Sequence, residues 1–259
     1  MRILLLDLEG TLHTREGLIP GALEAVAELR RDFDAVRFMT NTDSKSDPEL
    51  LLSLAACGLR LAPGEVFSPV AAAAEALTAT AGAVALVVAP ASVRRQLAER
   101  VPVSDAPDEA THVVVGDCRD WLSYEVLDRA FAALTAGGEL LALQRGRYFL
   151  AGGRRRLDTG TVVAALEYAA GVTARVVGKP APEFLRLAVR SAGAELDESD
   201  IYVVGDDPTT DIAMGNAVGA TTVQVGTGKG RQPAPASRAC RPTHRVASIA
   251  DVPGLLQTI

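Results

Sequence analysis

The chain has 259 residues, 48% of them hydrophobic and 22% charged, a balance that is typical of globular proteins and excludes disordered and fibrous classes. Its formal net charge of −6 makes it a poor general binder of nucleic acid or of an anionic membrane. The three cysteines form no Cys-x-x-Cys pair, which argues against a disulfide framework or a zinc site and favours a reducing cytoplasm. Asp7 and Glu9 interrupt the first apolar run, so we expect no signal-peptide core.

Short aliphatic segments alternate with Ala- and Leu-rich segments of helical periodicity along almost the whole chain. The predicted strands are Arg2–Leu8, Ala35–Thr40, Ala83–Val88, Thr111–Val115, Leu140–Leu143, Ala174–Val177, Ile201–Val204 and Thr221–Val225. The predicted helices are Gly21–Arg31, Asp47–Cys57, Ser92–Arg100, Ser123–Leu134, Thr161–Ala169 and Pro182–Ala192. Apolar strands linked by helices are typical of a parallel sheet covered on both faces, so the sequence predicts an α/β fold.

The uncharged stretch between Glu75 and Arg94 is the one segment whose length calls for a membrane test. Alanine is its commonest residue, and it contains Gly82 and Pro90, so its insertion into a bilayer would be weakly favourable. We predict instead a helix that ends near Ala81, followed by a buried strand.

Four predicted strands end in polar residues. These are Asp7 and Glu9 after the first strand, Thr40 and Asn41 after the second, Lys179 after Ala174–Val177, and Asp206 with Asp211 after Ile201–Val204. Each group alone also fits a structural role: Asp207–Pro208, for example, is typical of a helix N-cap. Ligands of open α/β sheets bind outside the carboxyl ends of the strands, so together the four groups predict one common site.

Clustered carboxylates beside a lysine suit phosphoryl transfer. One carboxylate can attack phosphorus and form an aspartyl-phosphate, while the others need a divalent cation to offset their mutual repulsion. Oxygen-only ligands favour a hard ion, so the expected cofactor is Mg²⁺. A lysine and hydroxyl or amide donors then neutralise the transferring oxygens.

Four motifs, in order, carry a resemblance to the haloacid dehalogenase superfamily. Asp7–Leu12 resembles its first motif, Asp-x-Asp-Gly-Thr, and Phe38–Thr42 its second. Val177–Pro180 resembles the third motif and Gly205–Asp211 the fourth. The long interval between the second and third resembles the cap insertion of the NagD-type (class IIA) subfamily. Leu166–Ala169 with the third motif is similar to the branch of phospholysine phosphatase-like and related hydrolase-domain proteins.

The resemblance implies a doubly wound parallel α/β core of residues 1–81 and 175–259, with a smaller inserted α/β cap of residues 82–174. Such a cap closes over the active site, excludes bulk water and selects the leaving group. It also offers a surface for a homodimer. The candidate substrate contacts of the cap are Arg145, Tyr148 and Asp158.

The resemblance also assigns roles at the strand ends. Asp7 is the expected nucleophile and a magnesium ligand, and Asp206 a direct magnesium ligand. Asp211 is expected to hold a metal-bound water. Glu9 offers its backbone carbonyl to the metal and stands where the general acid/base normally sits.

The remaining family positions bind phosphate. Thr40 and the backbone amide of Asn41 are expected to bind the phosphoryl oxygens. Lys179 is expected to offset the negative charge of Asp7 and of the phosphate.

Glu9 departs from the family pattern, which has Asp at this position in active phosphatases. Glutamate moves the acid outward by on the order of 1 Å, and such a misplacement can cost roughly 10²-fold in rate. General acid–base help is worth about 10²–10⁴-fold in all, so we expect slower protonation of the leaving group without loss of attack by Asp7.

The sequence therefore predicts a Mg²⁺-dependent hydrolase of a small phosphorylated metabolite, a phosphatase located in the cytoplasm. Two alternatives stay open. One is a non-catalytic phospholigand-binding or regulatory protein on the same scaffold, which Glu9 favours. The other is a phosphoacceptor domain of the response-regulator type, which would leave the inserted segment unexplained.

Two further segments attract attention. Gly226–Arg241 is rich in Gly, Pro, Ser and Arg and is predicted to be a mobile surface loop. Its first five residues, Gly226–Gly230, contain Gly and Lys but do not match the phosphate-loop pattern. Arg154–Arg156 is predicted to be a solvated turn.

Overall fold

The computed structural model describes residues 1–151, 154–232 and 237–259. Residues 233–236 of the predicted surface loop lie outside this range. The described chain forms two compact units. The first contains residues 1–40, 50–67 and 179–259, and the second residues 41–49 and 68–178. A cap confined to residues 82–174 stays a prediction.

The first unit is built on a six-stranded sheet in which every neighbouring pair is parallel. Its strands, in spatial order, are His244–Val246, Thr221–Val225, Asp200–Gly205, Arg2–Asp7, Ala35–Met39 and Val66–Phe67. From the central strand Arg2–Asp7 the chain adds strands on one side and later returns to add strands on the other. This reversal of strand order is the kind of switch point at which α/β sheets bind ligands.

Helices and short turns complete the first unit. Its α-helices are Ala22–Asp32, Pro182–Ser191, Ala213–Ala217 and Val252–Leu256, while Asp47–Ala56 contributes residues to both units. A π-helical turn spans Pro208–Ile212, and the 3₁₀ turns are Leu196–Glu198, Gly228–Arg231, Arg238–Cys240 and Ile249–Asp251. A two-stranded antiparallel pair joins His13–Thr14 to Gly17–Leu18. Leu4, Leu6, Phe38 and Val204 lie in a core that removes the strands from water.

The second unit has its own parallel sheet. Its strands, in spatial order, are Arg175–Val176, Glu139–Ala142, His112–Val115 and Ala85–Val88. Its helices are Pro69–Thr78, Ala91–Ala98, Tyr124–Thr135 and Thr159–Ala170, and Tyr148–Ala151 pairs with Arg154–Leu157 in a separate antiparallel two-stranded sheet. Val113, Val115, Leu140 and Val163 pack in its core.

The predicted α/β class is confirmed, and all eight predicted strands are present with ends shifted by at most two residues. The helix before the second unit's first strand ends at Thr78, earlier than predicted, because a turn with Ala83 N–H donating to the Thr80 carbonyl precedes the strand. The prediction of a turn at Arg154–Arg156 was wrong, since these residues form a strand. Among the described residues, no helix has both the length and the apolar character needed to cross a membrane.

Candidate active site

Two neighbouring strands of the first unit place two carboxylates at one edge of the sheet. Asp7 is the last residue of Arg2–Asp7, and Asp206 directly follows Asp200–Gly205. The strands run parallel with Leu6 opposite Val204, so their carboxyl ends coincide. Asp7 and Asp206 are only 5% and 4% exposed, so the protein removes both acids from bulk water.

A third carboxylate comes from the turn after Asp206. Asp207 caps this turn by accepting the Thr209 N–H at 2.8 Å, which confirms the predicted N-cap. The turn carries Asp211 into the cluster, where the Asp207 N–H donates to its carboxylate at 3.2 Å. One carboxylate oxygen each from Asp7, Asp206 and Asp211 lie within 4.8 Å of one another.

Lys179 also belongs to this cluster and is the first residue of the last segment of the first unit, residues 179–259. Its Nζ donates to Asp7 Oδ1 at 2.5 Å and to Asp211 Oδ1 at 2.7 Å. Burial lowers the pKa of Lys179, but the negative charges of Asp211 and Asp7 outweigh burial and raise it overall. Lys179 therefore stays a cation throughout the neutral range.

The acidic cluster holds more negative than positive charge. Burial, and then the charges of Asp7 and Asp211, raise the pKa of Asp206 to about 8. Burial also raises the pKa of Asp211, although Lys179 opposes the shift. Three carboxylates against one buried lysine leave two uncompensated negative charges when all are ionised, which is the charge that a divalent cation supplies.

Both oxygens of the Asp7 carboxylate are held. Thr11 Oγ1 donates to Asp7 Oδ2 at 2.9 Å, while Lys179 binds Oδ1. Thr11 is completely buried. Sequence reasoning included Thr11 in the first motif but gave it no role, although a hydroxyl four residues after the acid is close enough to orient it.

Glu9 differs from the buried acids of the cluster in its exposure to solvent. Its side chain is exposed to solvent, and its backbone takes part in a bridge with His13. The Gly10 N–H donates to the His13 carbonyl at 2.7 Å, which fixes the peptide that joins Glu9 to Gly10.

The second motif is divided between the two units. Thr40 is buried at the end of Ala35–Met39 in the first unit, and its N–H donates to the Phe67 carbonyl at 3.3 Å. Asn41 is half-buried and is the first residue of the second unit.

The three candidate substrate contacts lie in the second unit. Arg145 is exposed and pairs with Glu167. Asp158 caps the helix Thr159–Ala170 through the Thr159 N–H and accepts from Gln144 Nε2 at 2.8 Å. Tyr148 is exposed, with the Arg155 guanidinium 4.7 Å from its ring centre. Substrate contact by these residues stays a prediction.

Sequence reasoning missed Lys229. Its backbone N–H donates to Asp206 Oδ2 at 2.6 Å, and its Nζ donates to Asp207 Oδ2 at 2.6 Å. Gly228–Arg231 thus forms a turn against the acidic cluster rather than a free surface loop. The available signal was its position directly after the strand Thr221–Val225, at the same sheet edge as the other motifs.

Two family profiles match the chain. The one described as haloacid dehalogenase-like hydrolase covers residues 4–100, and the one described as HAD-hydrolase-like covers residues 176–252. Human haloacid dehalogenase-like hydrolase domain-containing protein 2 is 33% identical over 240 residues, spanning 89% of this chain and 86% of that protein. The bovine phospholysine phosphohistidine inorganic pyrophosphate phosphatase is 35% identical over 242 residues, spanning 89% and 85%.

Solved structures share the fold over nearly the whole chain. A p-nitrophenyl phosphatase from Archaeoglobus fulgidus superposes with a TM-score of 0.86 at 25% identity, over 98% of each chain. A glycerol phosphate phosphatase from Mycobacterium tuberculosis in complex with magnesium gives 0.83 at 27% identity, over 95% of this chain and 74% of that one. The chain belongs to the haloacid dehalogenase-like hydrolase family, and it shares the fold of NagD from E. coli, with a TM-score of 0.83 at 23% identity.

Proposed function

We propose that the protein hydrolyses a small phosphomonoester in a Mg²⁺-dependent reaction through an aspartyl-phosphate at Asp7. The observation that carries the proposal is the Asp7 carboxylate, fixed by Lys179 and Thr11 inside a buried cluster with Asp206 and Asp211. A buried, oriented carboxylate whose neighbours carry excess negative charge suits attack on phosphorus only when a cation is present.

The donor set fits magnesium. Asp7, Asp206 and Asp211 offer only oxygen atoms, which a hard divalent ion prefers over nitrogen or sulfur. These residues, with the backbone carbonyl of Glu9, would hold the ion. When bound, Mg²⁺ supplies positive charge that lets an anionic phosphate approach an anionic carboxylate. The magnesium complex of the M. tuberculosis phosphatase supports this choice of metal.

The chain's own residues then divide the work. Asp7 attacks phosphorus with one carboxylate oxygen, and the bond from phosphorus to the leaving oxygen breaks. Lys179, whose pKa is raised, brings a fixed positive charge to Asp7 and to the phosphoryl group. Thr40 and the amide of Asn41 bind the phosphoryl oxygens in this proposal.

Glu9 transfers the proton. Its exposed carboxyl group is free to protonate the leaving oxygen and then to accept a proton from the water that hydrolyses the aspartyl-phosphate. Because glutamate is longer than the aspartate of the family pattern, the rate is expected to depend strongly on the leaving group's own acidity.

The substrate is a small phosphorylated molecule. The relatives' names mention phospholysine, phosphohistidine, inorganic pyrophosphate, p-nitrophenyl phosphate and glycerol phosphate, which share a terminal phosphoryl group. Arg145, Tyr148 and Asp158 remain the proposed contacts for the rest of the substrate.

One observation favours the second candidate, a phospholigand-binding protein: Glu9 in place of the usual acid. Steady-state hydrolysis of p-nitrophenyl phosphate with Mg²⁺ or with EDTA separates the two. Many turnovers per enzyme with Mg²⁺, abolished by EDTA, support the phosphatase. Saturable binding of phosphate compounds without turnover, by a folded and Mg²⁺-binding protein, supports the binder.

A further inference from the structure

The segment Gly226–Arg231 makes three hydrogen bonds, one to the acidic cluster and two to residues that adjoin it. The Lys229 N–H donates to Asp206 Oδ2 at 2.6 Å. Thr227 Oγ1 donates to the carbonyl of Gly10 at 2.6 Å, and Lys229 Nζ donates to Asp207 Oδ2 at 2.6 Å. We call this segment the clasp. It joins parts of the chain more than two hundred residues apart.

The clasp restrains Asp206 directly. The Lys229 N–H binds Oδ2 of Asp206 and thereby fixes the direction in which the other oxygen, Oδ1, faces. Because the donor is a backbone group, movement of the Lys229 side chain does not remove it. Hydrogen bonds to ionised carboxylates are stronger than neutral ones, which makes this restraint effective once Asp206 is ionised.

Two glycines make this approach feasible. A Cβ on Gly228 would lie 2.0 Å from Asp206 Oδ2 and 2.7 Å from the Cα of Gly10. A Cβ on Gly10 would lie 2.1 Å from the same oxygen. Both glycines have positive φ, +50° and +90°, which other residues rarely adopt. The Asp206 carboxylate therefore fits between two backbone segments with no room for a side chain.

Thr227 restrains the first motif. It binds the carbonyl of Gly10 while the Gly10 N–H binds His13, so the peptides on both sides of Gly10 are fixed. The Glu9 carbonyl, a proposed metal ligand, belongs to the peptide that His13 holds, and Thr227 holds the next peptide. Thr227 therefore acts on the Glu9 carbonyl through Gly10, the residue that the two peptides share.

Lys229 extends the restraint to the fourth motif. Asp207 accepts the Lys229 ammonium at Oδ2 and the Thr209 N–H at Oδ1. Its carbonyl accepts the Asp211 N–H at 3.0 Å. Lys229 therefore acts on the turn that presents Asp211.

We propose that Thr227 and Lys229 are positioning residues of the metal site, through which the clasp sets the geometry of Asp206, Asp211 and the Glu9 carbonyl for magnesium. The inference rests on the proposed function for the identity of the metal. Groups that form hydrogen bonds to metal ligands and orient them commonly contribute about 10- to 100-fold to metal affinity.

The test is calorimetric titration of Mg²⁺ into the metal-free full-length protein, compared with Thr227→Val. Thr258→Val is the matched control, because Thr258 Oγ1 also donates to a backbone carbonyl at 2.6 Å, that of Leu255 near the chain end. We expect Thr227→Val to weaken Mg²⁺ binding about 10-fold. Thr227→Ser should restore it, and Thr258→Val should leave it within twofold. An unchanged Mg²⁺ affinity in folded Thr227→Val overturns the proposal.

Lys229→Met provides a second variant in case Thr227→Val fails to fold, with the nearby Arg231→Met as its control. It keeps the backbone donor to Asp206 and removes only the ammonium at Asp207, so we expect a smaller loss of affinity, about threefold. Turnover of p-nitrophenyl phosphate should recover at saturating Mg²⁺ in both variants. Equal affinity for Mg²⁺ in Lys229→Met and Arg231→Met contradicts the role of Lys229.

These measurements separate this inference from the proposed function. A wild-type protein that binds Mg²⁺ without turnover contradicts the phosphatase, while calorimetry still decides the role of the clasp. A wild-type protein that turns over substrate equally well with EDTA, and does not bind Mg²⁺, overturns the inference but not phosphate hydrolysis itself.

Discussion

Lys179 and Asp7 form a buried ion pair, with 2.5 Å between Nζ and Oδ1 and each side chain at most 6% exposed. Lys179 also binds Asp211, so one ammonium serves two acids of the cluster. Separating these charges from water costs free energy, which is offset only while both partners are present. The ion pair therefore contributes to the stability of the protein as well as to its proposed chemistry.

Replacing Lys179 by Met tests both roles. The variant leaves Asp7 and Asp211 without their cation, and we expect a loss of roughly 3 kcal/mol in the free energy of unfolding without metal. Turnover should fall by at least about 10²-fold. Urea unfolding and p-nitrophenyl phosphate hydrolysis measure the two effects. Arg186→Met, an exposed position on the helix Pro182–Ser191, is the control and should change neither.

Stability without metal should decrease as pH rises. In the folded protein the pKa of Asp206 is raised from its ordinary value of 3.8 to about 8, so between these pH values the folded protein binds more protons than the unfolded chain. The free energy of unfolding must then fall with increasing pH across this window. Thermal unfolding with EDTA between pH 5 and 8 measures the slope, and Asp206→Asn should make it shallower. A stability that rises through this window would contradict the assignment.

Magnesium should oppose this pH dependence. Binding requires ionised carboxylates, so the increase in melting temperature caused by Mg²⁺ should be larger at pH 8 than at pH 5.5. The same Mg²⁺ concentration compared at both pH values gives the answer. A larger increase at pH 5.5 would rule out carboxylates as the ligands.

Thr11→Val tests the second restraint on Asp7. The substitution nearly preserves volume but removes the hydroxyl that donates to Oδ2, so Asp7 loses its fixed orientation. We expect kcat to fall about 10-fold, with little change in KM. Thr135→Val, on the exposed end of the helix Tyr124–Thr135, is the matched control. A variant of unchanged kcat would show that Lys179 alone suffices to orient Asp7.

Glu9→Asp tests proton transfer. Restoring the shorter acid should raise turnover of an alkyl phosphate by about 10²-fold, because alkoxide leaving groups need protonation. The gain with p-nitrophenyl phosphate should be much smaller, since nitrophenolate leaves without a proton. Equal gains with both substrates would point to a role of Glu9 other than acid catalysis.

The parallel sheets and the acids at the strand ends were predictable, because each depends on local pattern. The apolar run Ile3–Leu6 indicates a buried strand, and Asp7 directly after it indicates a functional residue at the end of that strand. Short strands such as Val66–Phe67 were not predictable, since two residues show no periodicity.

The clasp shows why part of the site escaped prediction. Gly226–Gly230 was judged against a known phosphate-loop pattern and rejected, whereas its contacts with Asp206 and Gly10 depend on strand order in space. Gly10 and Thr227 are so far apart along the chain that no local sequence pattern predicts their contact. The strands that precede them, Arg2–Asp7 and Thr221–Val225, lie on either side of Asp200–Gly205 in the sheet, and this spatial order brings the two residues together.

The proposed reaction depends above all on Asp7 as the nucleophile of a magnesium-dependent phosphatase. The most direct measurement is the kcat of p-nitrophenyl phosphate hydrolysis at saturating Mg²⁺ for the wild-type protein and for Asp7→Asn, with circular dichroism confirming that both are folded. We predict turnover by the wild-type protein and a loss on the order of 10³-fold or more in the variant. Turnover by Asp7→Asn within about tenfold of wild type would show that Asp7 is not the nucleophile.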